Sequence, residues 1–494
     1  MMPRWTSACV AALTLAGCAD MQGIGPSARM TDAAQLGLAS ASAAETETLG
    51  PAQDWWTALG DAQLDGLVAE ALAHNPNLQV AAARVAKARS VEQVAASASS
   101  PQVNGELDLN RQKFSSNYIY PPPLGGAVFD MGNLQAGGSW ELDFFGKNSD
   151  AIRAAIGQLR AAEAESDAAH VLLAANVVRA YVQWARLNEQ RVLAERALAQ
   201  RQEMLAIVRD RVQAGLDTQL EVRQNETGRA DSRTQIAVVE QQIDASRNAL
   251  AALLGQPRLA DEVRAPLLAQ FKPLAVPSEL NADWLARRAD IAAARWRVEA
   301  ARAQVDVARA QFYPNINLAA FIGYQSLGFG NLVKSDSFQW GVGPAIRLPI
   351  FEGGRLRANL VASSADTDAA IESYNATVID AMRDVADQSQ AVQATARQQR
   401  EQALALQAAQ GAYNIAQQRY AAGLGNYLNV LLAETAVLAQ RRQQADLAAQ
   451  AIQSQIGVAQ AMGGGWRPTP ALAALPAAED TQAAAGSDSG VPAR

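Results

Sequence analysis

The sequence contains an internal duplication, and this duplication constrains the fold more than any other feature. Residues 211–227 read RVQAGLDTQLEVRQNET and residues 419–435 read RYAAGLGNYLNVLLAET, so eight of seventeen positions are identical at an offset of 208. The tetrapeptide AAAR recurs at 81–84 and 292–295, at an offset of 211. Similar offsets at distant segments indicate a duplicated structural unit rather than chance similarity between alanine-rich helices.

The spacing of prolines predicts what each unit contains. No proline occurs in residues 124–256 or 350–467, and because proline breaks helix interiors, these intervals permit helices of unusual length. A helix of about 66 residues is roughly 100 Å long. Gly215 and Gly423 lie where such helices would end and the chain would turn. The predicted helices are 64–97, 147–212 and 219–254 in the first unit, and 281–310, 355–421 and 427–461 in the second.

Four segments between these helices alternate polar and apolar residues with a period of two. In the first segment, Val103, Leu107 and Leu109 share one face, and Glu106 and Asp108 share the other. Segments of about ten residues with this alternation are typical of outer-membrane strands. A half-buried sheet of a soluble protein is the alternative, but it does not explain why the strands interrupt such long helices. The predicted strands lie near 103–110, 133–145, 314–324 and 337–351.

The number of strands has a consequence for assembly. Four strands cannot close a barrel, and an open edge in lipid leaves backbone groups without hydrogen bonds. Three copies would give twelve strands and a conducting lumen, whereas a dimer would give eight strands, whose interior is filled by side chains. The predicted fold is therefore mainly α with transmembrane β. It has two tandem helix–strand–strand–long helix–helix repeats and assembles as a homotrimer with a 12-stranded β-barrel.

The amino terminus has the pattern of a bacterial signal peptide. Arg4 supplies a positive charge, and residues 7–17 are uncharged. The sequence Leu-Ala-Gly-Cys at 15–18 resembles the lipobox of lipoproteins, which implies that Cys18 is lipidated and becomes the first residue; ordinary cleavage is the alternative. Asp20 stands one position beyond the place where an aspartate would favour inner-membrane retention, so the arrangement favours the outer membrane. Several acyl chains would anchor the protein firmly.

Other function classes find no support in the sequence. The net charge is −7, which does not favour nucleic-acid binding. The only cysteines are Cys9 and Cys18, so the remaining chain offers no disulfide and no catalytic thiol. The motifs HExxH, GxxxxGK[ST] and GxSxG are absent, and the only histidines are His74 and His170. We therefore expect no catalytic residues, no metal site, no cofactor and no enzymatic activity.

These observations divide the chain into six regions. The predicted regions are a lipoprotein signal peptide at 1–17, an extended leader at 18–53, a first structural repeat at 54–257, a linker at 258–280, a second structural repeat at 281–466 and a disordered tail at 467–494.

Several short motifs of the sequence are similar to those of a known family. Together with the lipobox and the repeat, the segments DWW at 54–56 and DAQL at 61–64 and the two AGL turns resemble the TolC-like outer-membrane factor family. The resemblance is to its lipoprotein branch, which serves tripartite efflux systems of the resistance-nodulation-division type, and it covers residues 18 to about 466.

The resemblance implies a function and a set of partners. A trimeric barrel would sit in outer-membrane lipid and continue as a long periplasmic α-helical tunnel. It would passively conduct drugs, toxic organic compounds or metals from an inner-membrane efflux transporter and a periplasmic adaptor to the exterior. Two alternatives stay open, which are the outer-membrane channel of a type I protein secretion system and a non-conducting periplasmic scaffold.

The resemblance also implies a periplasmic gate near the turns at Gly215 and Gly423. Family members often carry acids on the second-repeat side of this gate, whereas this sequence has Gly425, Asn429 and Leu432 there. Its acids lie in the first repeat instead. The predicted gate residues are Asp217, Glu221, Asn429 and Tyr420. The alternative for Asp217 is a role as the N-cap of the returning helix.

The strand alternation predicts which side chains face the bore. If the apolar faces meet lipid, the four acids Glu106, Asp108, Glu141 and Asp143 face the lumen, and Arg347 alone opposes them. Three-fold symmetry would make this field strongly negative. We therefore expect a channel that prefers cations.

Overall fold

A computed structural model describes residues 21–31, 52–256, 262–275, 282–469 and 472. The predicted signal peptide and Cys18 lie outside the described residues, as does most of the predicted tail. Short 3-10 helices occur at Trp55–Leu59, Leu268–Gln270 and Ala282–Arg287. The main elements are α1 (Ala62–His74), α2 (Pro76–Ser97), β1 (Gln102–Lys113), β2 (Val128–Leu142), α3 (Lys147–Gln213), α4 (Gln219–Leu254), α5 (Ala289–Ala310), β3 (Asn315–Leu327), β4 (Phe338–Arg347), α6 (Arg355–Ala421) and α7 (Tyr427–Ala461).

The two long helices, α3 and α6, each contain 67 residues, as the proline-free intervals predict. Each packs against its returning helix, α4 or α7, and forms a long hairpin. The same order of elements occurs in both halves of the chain, which confirms the predicted tandem repeat. Among the described helices, none is both long enough and apolar enough to cross a membrane.

The helical region predicted over 64–97 consists of two helices, because the chain breaks at Asn75, in the Asn75-Pro76 dipeptide whose sequence indicates a helix break. The Asn75 side chain accepts a hydrogen bond from the Asn77 backbone N–H at 2.8 Å and so caps α2. Pro76 occupies the first turn of α2, where its missing N–H costs no helical hydrogen bond. The second repeat differs at the same place, since a 3-10 helix precedes α5 there.

The four strands form one antiparallel sheet in the order β1-β2-β3-β4. Strands β2 and β4 end at Leu142 and Arg347, before the predicted ends at 145 and 351. Leu107, Leu134, Tyr324 and Phe338 form one continuous row across the sheet, as the alternation predicts. In this chain β1 and β4 are edge strands, each with one neighbour.

The largest hydrophobic core lies beside the middle of α3, away from the sheet. It contains residues from α1, α2, α4 and α7, together with Trp55 and Trp56. Leu268 and Phe271 also belong to it, so part of the segment predicted as a linker contributes to the core. Leu472 is buried beside Trp466, and the chain is therefore packed at a point where we expected disorder.

The described part of the leader runs along α5 and α6. Met21 and Ile24 pack on a hydrophobic cluster that includes Leu356 in the first turn of α6. Further on, Asp368 accepts hydrogen bonds from the backbone N–H groups of Ser27 and Ala28, at 2.7 and 2.8 Å. Polar side chains on α6 thus satisfy backbone groups of an extended segment that has no strand partner.

The close contact between α3 and α5 depends on a glycine. A Cβ atom added to Gly157 would lie 2.8 Å from the Cβ and 3.0 Å from the backbone N of Ala300. We expect Gly157→Ala to destabilise the protein by about 1–3 kcal/mol, because overpacking outweighs the gain in helix propensity. A thermal melt followed by circular dichroism measures this.

Gly66 provides the matched control, because it is also helical and a Cβ there would contact no atom within 4 Å. Gly66→Ala should be neutral or stabilising by up to about 1 kcal/mol. Equal melting temperatures for the Gly157 variant and the unmodified protein would contradict the proposed role of this contact.

Candidate functional site

Both hairpins end in turns of the same geometry. Gly215 and Gly423 have φ values of 71° and 72°, a region that residues with a side chain rarely adopt. The N–H of Leu216 donates to the Arg211 carbonyl at 2.9 Å, and the N–H of Leu424 donates to the Arg419 carbonyl at 2.8 Å. These bonds satisfy carbonyls that the helix ends would leave free. The repeated AGL motif therefore encodes the two turns.

Three side chains near the turns form one cluster, which we call the tip cluster: Arg211, Asp217 and Tyr420. Arg211 donates to both carboxylate oxygens of Asp217, at 2.8 and 3.3 Å. Its guanidinium carbon lies 4.5 Å from the centre of the Tyr420 ring. The Tyr420 hydroxyl donates a short hydrogen bond to Asp217. Because Asp217 belongs to the first hairpin and Tyr420 to the second, this bond joins the two hairpins.

The tip cluster excludes most solvent. The side chains of Arg211 and Asp217 are 15% and 11% exposed, and Tyr420 is buried. Hydrogen bonds from Arg211 hold the pKa of Asp217 below its ordinary value of 3.8, although partial burial opposes them. Burial and the neighbouring Asp217 raise the pKa of Tyr420. The carboxylate therefore stays ionised and the phenol stays protonated at neutral pH, as their hydrogen bond requires.

The alternative interpretation of Asp217 as an N-cap is wrong, because Thr218 caps α4. The Thr218 hydroxyl accepts a hydrogen bond from the Leu220 N–H at 3.2 Å, and the Glu221 carboxylate accepts one from the Thr218 N–H at 2.8 Å. This reciprocal arrangement is a capping box. In the second hairpin, the Asn426 side chain accepts from the Asn429 N–H at 3.1 Å.

Glu221 and Asn429 are thus used inside their own turns, and their role at a gate stays a prediction. Two further contacts between the hairpins were not found from the sequence. The amide of Asn225 donates to the Tyr427 hydroxyl at 2.8 Å. Arg201 pairs with Glu434 at 3.3 Å, where both side chains are nearly inaccessible. Burial raises the pKa of Glu434, and Arg201 opposes the shift.

The sheet separates polar from apolar side chains. Glu106 lies opposite Gln135, and Asp108 lies opposite Asn133. Glu141 lies opposite Asn317, and Arg347 lies opposite Asn315. These pairs all occupy one face, because the residues between them on each strand point the other way. The other face carries exposed large apolar side chains, which include Val103, Leu107, Leu109, Trp340, Val342 and Ile346.

The expectation that Arg347 alone opposes the four acids is wrong. Lys147 donates to both oxygens of Glu141, at 2.9 and 3.2 Å. Asp143 follows β2 and accepts a hydrogen bond from the Ser149 N–H at 2.8 Å, at the amino end of α3. Partial burial opposes ionisation of Asp143, but backbone N–H donors outweigh it and hold its pKa below the ordinary value. Among the described residues, Glu106 and Asp108 have neither a cationic partner nor helix N–H donors.

An apolar-faced sheet that continues into two hairpins built on 67-residue helices is the architecture of a TolC-like channel subunit. A protein-family model described as outer membrane efflux protein matches residues 67–256 and 280–464. The chain therefore belongs to the outer membrane efflux protein family. The family model matches twice, once in each repeat.

Individual relatives agree with the family model. Fusaric acid resistance protein FusA of Burkholderia cepacia is 37% identical over 362 residues, which cover 72% of this chain and 68% of FusA. Multidrug resistance outer membrane protein MdtQ of Escherichia coli O6:H1 is 32% identical over 467 residues, which cover 92% of this chain and 96% of MdtQ.

The fold also matches a solved structure. The crystal structure of the outer membrane protein VceC from Vibrio cholerae aligns with a TM-score of 0.79 and 35% identity, and covers 84% of this chain and 100% of VceC. The matched proteins are channel and transport proteins rather than enzymes.

The tip cluster predicts a specific pH dependence of stability. Because the folded pKa of Asp217 is lowered, its carboxylate stabilises the fold above about pH 4. This contribution is lost as the pH falls through the lowered pKa, below 3.8. We expect Asp217→Asn to melt at a lower temperature than the unmodified protein from pH 8 to about pH 5, by a constant difference that shrinks below about pH 4.

Asp210→Asn is the control, because Asp210 is exposed on the same hairpin and its carboxylate has no partner among the described residues. It should melt like the unmodified protein at every pH. If the difference in melting temperature between Asp217→Asn and the unmodified protein grew as the pH was lowered, the assignment of the lowered pKa to Asp217 would be contradicted.

Proposed function

We propose that three copies of this chain form the outer-membrane exit duct of a tripartite efflux pump and passively conduct small molecules to the exterior. The observation that carries the proposal is the sheet, which has one exposed apolar face, one polar face and two unpaired edges. The names of the relatives, which refer to drug and fusaric acid resistance, favour small-molecule efflux over protein secretion.

The edges of the sheet support a homotrimer. In one chain β1 pairs only with β2, and β4 pairs only with β3. Pairing of β4 with β1 of the next copy satisfies both edges, and three copies close a barrel of twelve strands. The exposed side chains of Trp340 and Val342 then meet lipid. Glu106 and Asp108 face the bore and favour cations there, although less strongly than four free acids would.

We propose that the tip cluster is the gate. Opening the tunnel requires the two hairpins to move apart at their tips, and the bond between Asp217 and Tyr420 resists that movement. The gate closes by default because a buried apolar cluster, which includes Met204, Val208 and Val430, packs beside the tip cluster. The inner-membrane transporter and the periplasmic adaptor would shift the equilibrium from the closed to the open state by binding the hairpin tips.

The turns offer the adaptor a surface. Leu216 and Leu424 stand at equivalent places in the two repeats and are 65% and 70% exposed. Exposed leucines at a helical tip suit an apolar contact with a partner protein. Because the two turns are nearly alike, the trimer would present six similar sites in total, two from each copy, to the adaptor.

The leader supports lipidation at Cys18. Met21 packs beside Leu356, close to the end of the sheet. Met21 is the third residue after Cys18, so the chain between them spans at most about 11 Å. Acyl chains on Cys18 would therefore reach the membrane at the level where the strands end.

The gate proposal predicts the effect of one hydroxyl group. Tyr420→Phe removes the hydrogen bond to Asp217 and keeps the ring. A hydrogen bond to a charged group is worth roughly 1.5–3 kcal/mol, so the open state should become at least about tenfold more populated. Single-channel recording in planar bilayers measures the open probability.

Tyr413→Phe is the control, because Tyr413 is buried on the same helix and its hydroxyl has no hydrogen bond among the described residues. This variant should stay closed. If the two variants behaved alike, the hydrogen bond in the tip cluster would not hold the gate.

The lipid anchor and the barrel can be separated by one substitution. Cys18→Ala should abolish labelling by radioactive palmitate but leave folded trimers in the membrane, because barrel burial supplies most of the membrane affinity. Native mass spectrometry of detergent-extracted protein measures the oligomer. A folded, fully soluble Cys18→Ala variant would contradict the barrel, and a stable monomer of the unmodified protein would contradict the trimer.

A further inference from the structure

A cavity of about 820 Å³ lies where the strands meet the helices. Its walls come from the ends of β2, β3 and β4 and from the first turns of α3 and α6. This volume is within the range of small-molecule sites in proteins. The cavity is open, and it lies at the helix-proximal end of the sheet, far from the tip cluster. The proposed gate at the tip cluster does not involve this cavity.

The charged groups around the cavity fall into paired and unpaired sets. Glu141 is paired with Lys147. Glu352 is paired with Arg355, at 2.8 Å. Asp143 accepts its hydrogen bond at the amino end of α3. Every acid of the lining is therefore already compensated by a cation or by helix N–H groups.

Arg347 is the exception among these charged groups. It is exposed at the end of β4 and lies opposite Asn315 in the sheet. Within the described part of the chain, no carboxylate lies within ion-pairing distance of its guanidinium. An arginine can donate two parallel hydrogen bonds to a carboxylate. The cavity thus presents one free bidentate donor.

The remaining walls are aromatic and apolar. The rings of Phe145 and Tyr313 stack with their centres 4.9 Å apart and their planes at 10°. Both residues are more than 40% exposed, so the stack offers accessible aromatic surface in the cavity. Ile350 and Phe351 add apolar surface and are 61% and 86% exposed. Planar aromatic groups bind well to such surfaces.

Amide side chains provide further donors beside Arg347. Asn315 and Asn359 both line the cavity, and the Asn359 amide also donates to Gln311 at 3.3 Å. A carboxylate bound to Arg347 has additional lone pairs that such amides can satisfy. Carboxylate recognition and ring stacking are therefore available in one cavity.

We propose that this cavity is a transit site for small aromatic carboxylates, in which Arg347 binds the carboxylate and the Phe145–Tyr313 stack and its apolar neighbours bind the ring. The inference rests on the proposed function, because the polar face of the sheet lines the bore only in the assembled channel. It names a substrate class for that channel. Glu106 and Asp108 lie about eight and ten residues further along the sheet than Arg347, which is more than 20 Å at a rise of about 3.3 Å per residue. Physiological salt screens charges over about 8 Å, so these acids do not oppose the binding of a carboxylate at Arg347.

Equilibrium binding to the full-length, detergent-solubilised trimer tests the proposal. The probe is 2-naphthoate, whose fluorescence reports binding, and its uncharged counterpart is 2-naphthamide. We expect the carboxylate to bind at least about tenfold more tightly than the amide at low salt and to lose this advantage as salt is added. A cationic probe, 2-naphthylmethylammonium, should bind more weakly than either.

Two variants assign the residues. Arg347→Gln should lower the affinity for 2-naphthoate about tenfold and leave that for 2-naphthamide unchanged. Phe145→Leu with Tyr313→Leu should lower the affinity for both probes. Arg111→Gln is the matched control, because Arg111 is also an exposed arginine in a strand but points to the other face of the sheet. It should bind both probes like the unmodified protein.

Single-channel recording separates failure of this proposal from failure of the proposed function. In a conducting channel, 2-naphthoate should cause brief blocks that Arg347→Gln shortens. A channel that conducts but binds 2-naphthoate and 2-naphthamide equally, or whose binding is unchanged in Arg347→Gln, would overturn the transit site and leave the duct intact. A protein that never conducts would overturn the duct itself.

Discussion

The unpaired edges of the sheet are the constraint on which the rest of this protein depends. A four-stranded antiparallel sheet leaves one row of backbone donors and acceptors open on β1 and another on β4. Water can satisfy such groups, but lipid cannot. The exposed apolar face, which includes Leu107 and Trp340, is stable only away from water. The proposed assembly meets both requirements together, because copies of the chain would complete one another's sheet.

The long hairpins follow from helix chemistry and were largely predictable. Two stretches without proline and two glycines after them were enough to place α3, α6 and their returning helices within a residue or two. Side-chain partners were not predictable in the same way. Lys147 was overlooked as the partner of Glu141 because it follows in the next element, across a turn whose shape the alternation does not specify. Thr218 replaced Asp217 as the cap because either residue type can cap a helix, and only the backbone geometry decides.

The two duplicated turns have the same backbone geometry but provide different side chains to the contact between the hairpins. Arg211 and Arg419 are equivalent in the alignment, and both remain arginine. Asp217 corresponds to Gly425, so only the first hairpin provides the carboxylate, and Tyr420 corresponds to Val212, so only the second provides the phenol. The Asp217–Tyr420 bond therefore joins unlike halves. Glu434 shows the same divergence, because its equivalent Glu226 is half-buried and pairs with Arg223 of its own helix, whereas Glu434 is buried against Arg201. Repeat identity alone did not reveal which copy had acquired the contact.

The path of the leader determines an order of events during the life of the chain. Ser27 is held by Asp368, which lies 341 residues later in the sequence. A ribosome that adds roughly 5–20 residues per second needs tens of seconds to bridge that interval. During this time the groups on α6 that fix the leader do not yet exist. An enzyme that acts before this part of α6 is synthesised therefore meets a leader that is not yet docked, and docking of the leader must follow the synthesis of Asp368.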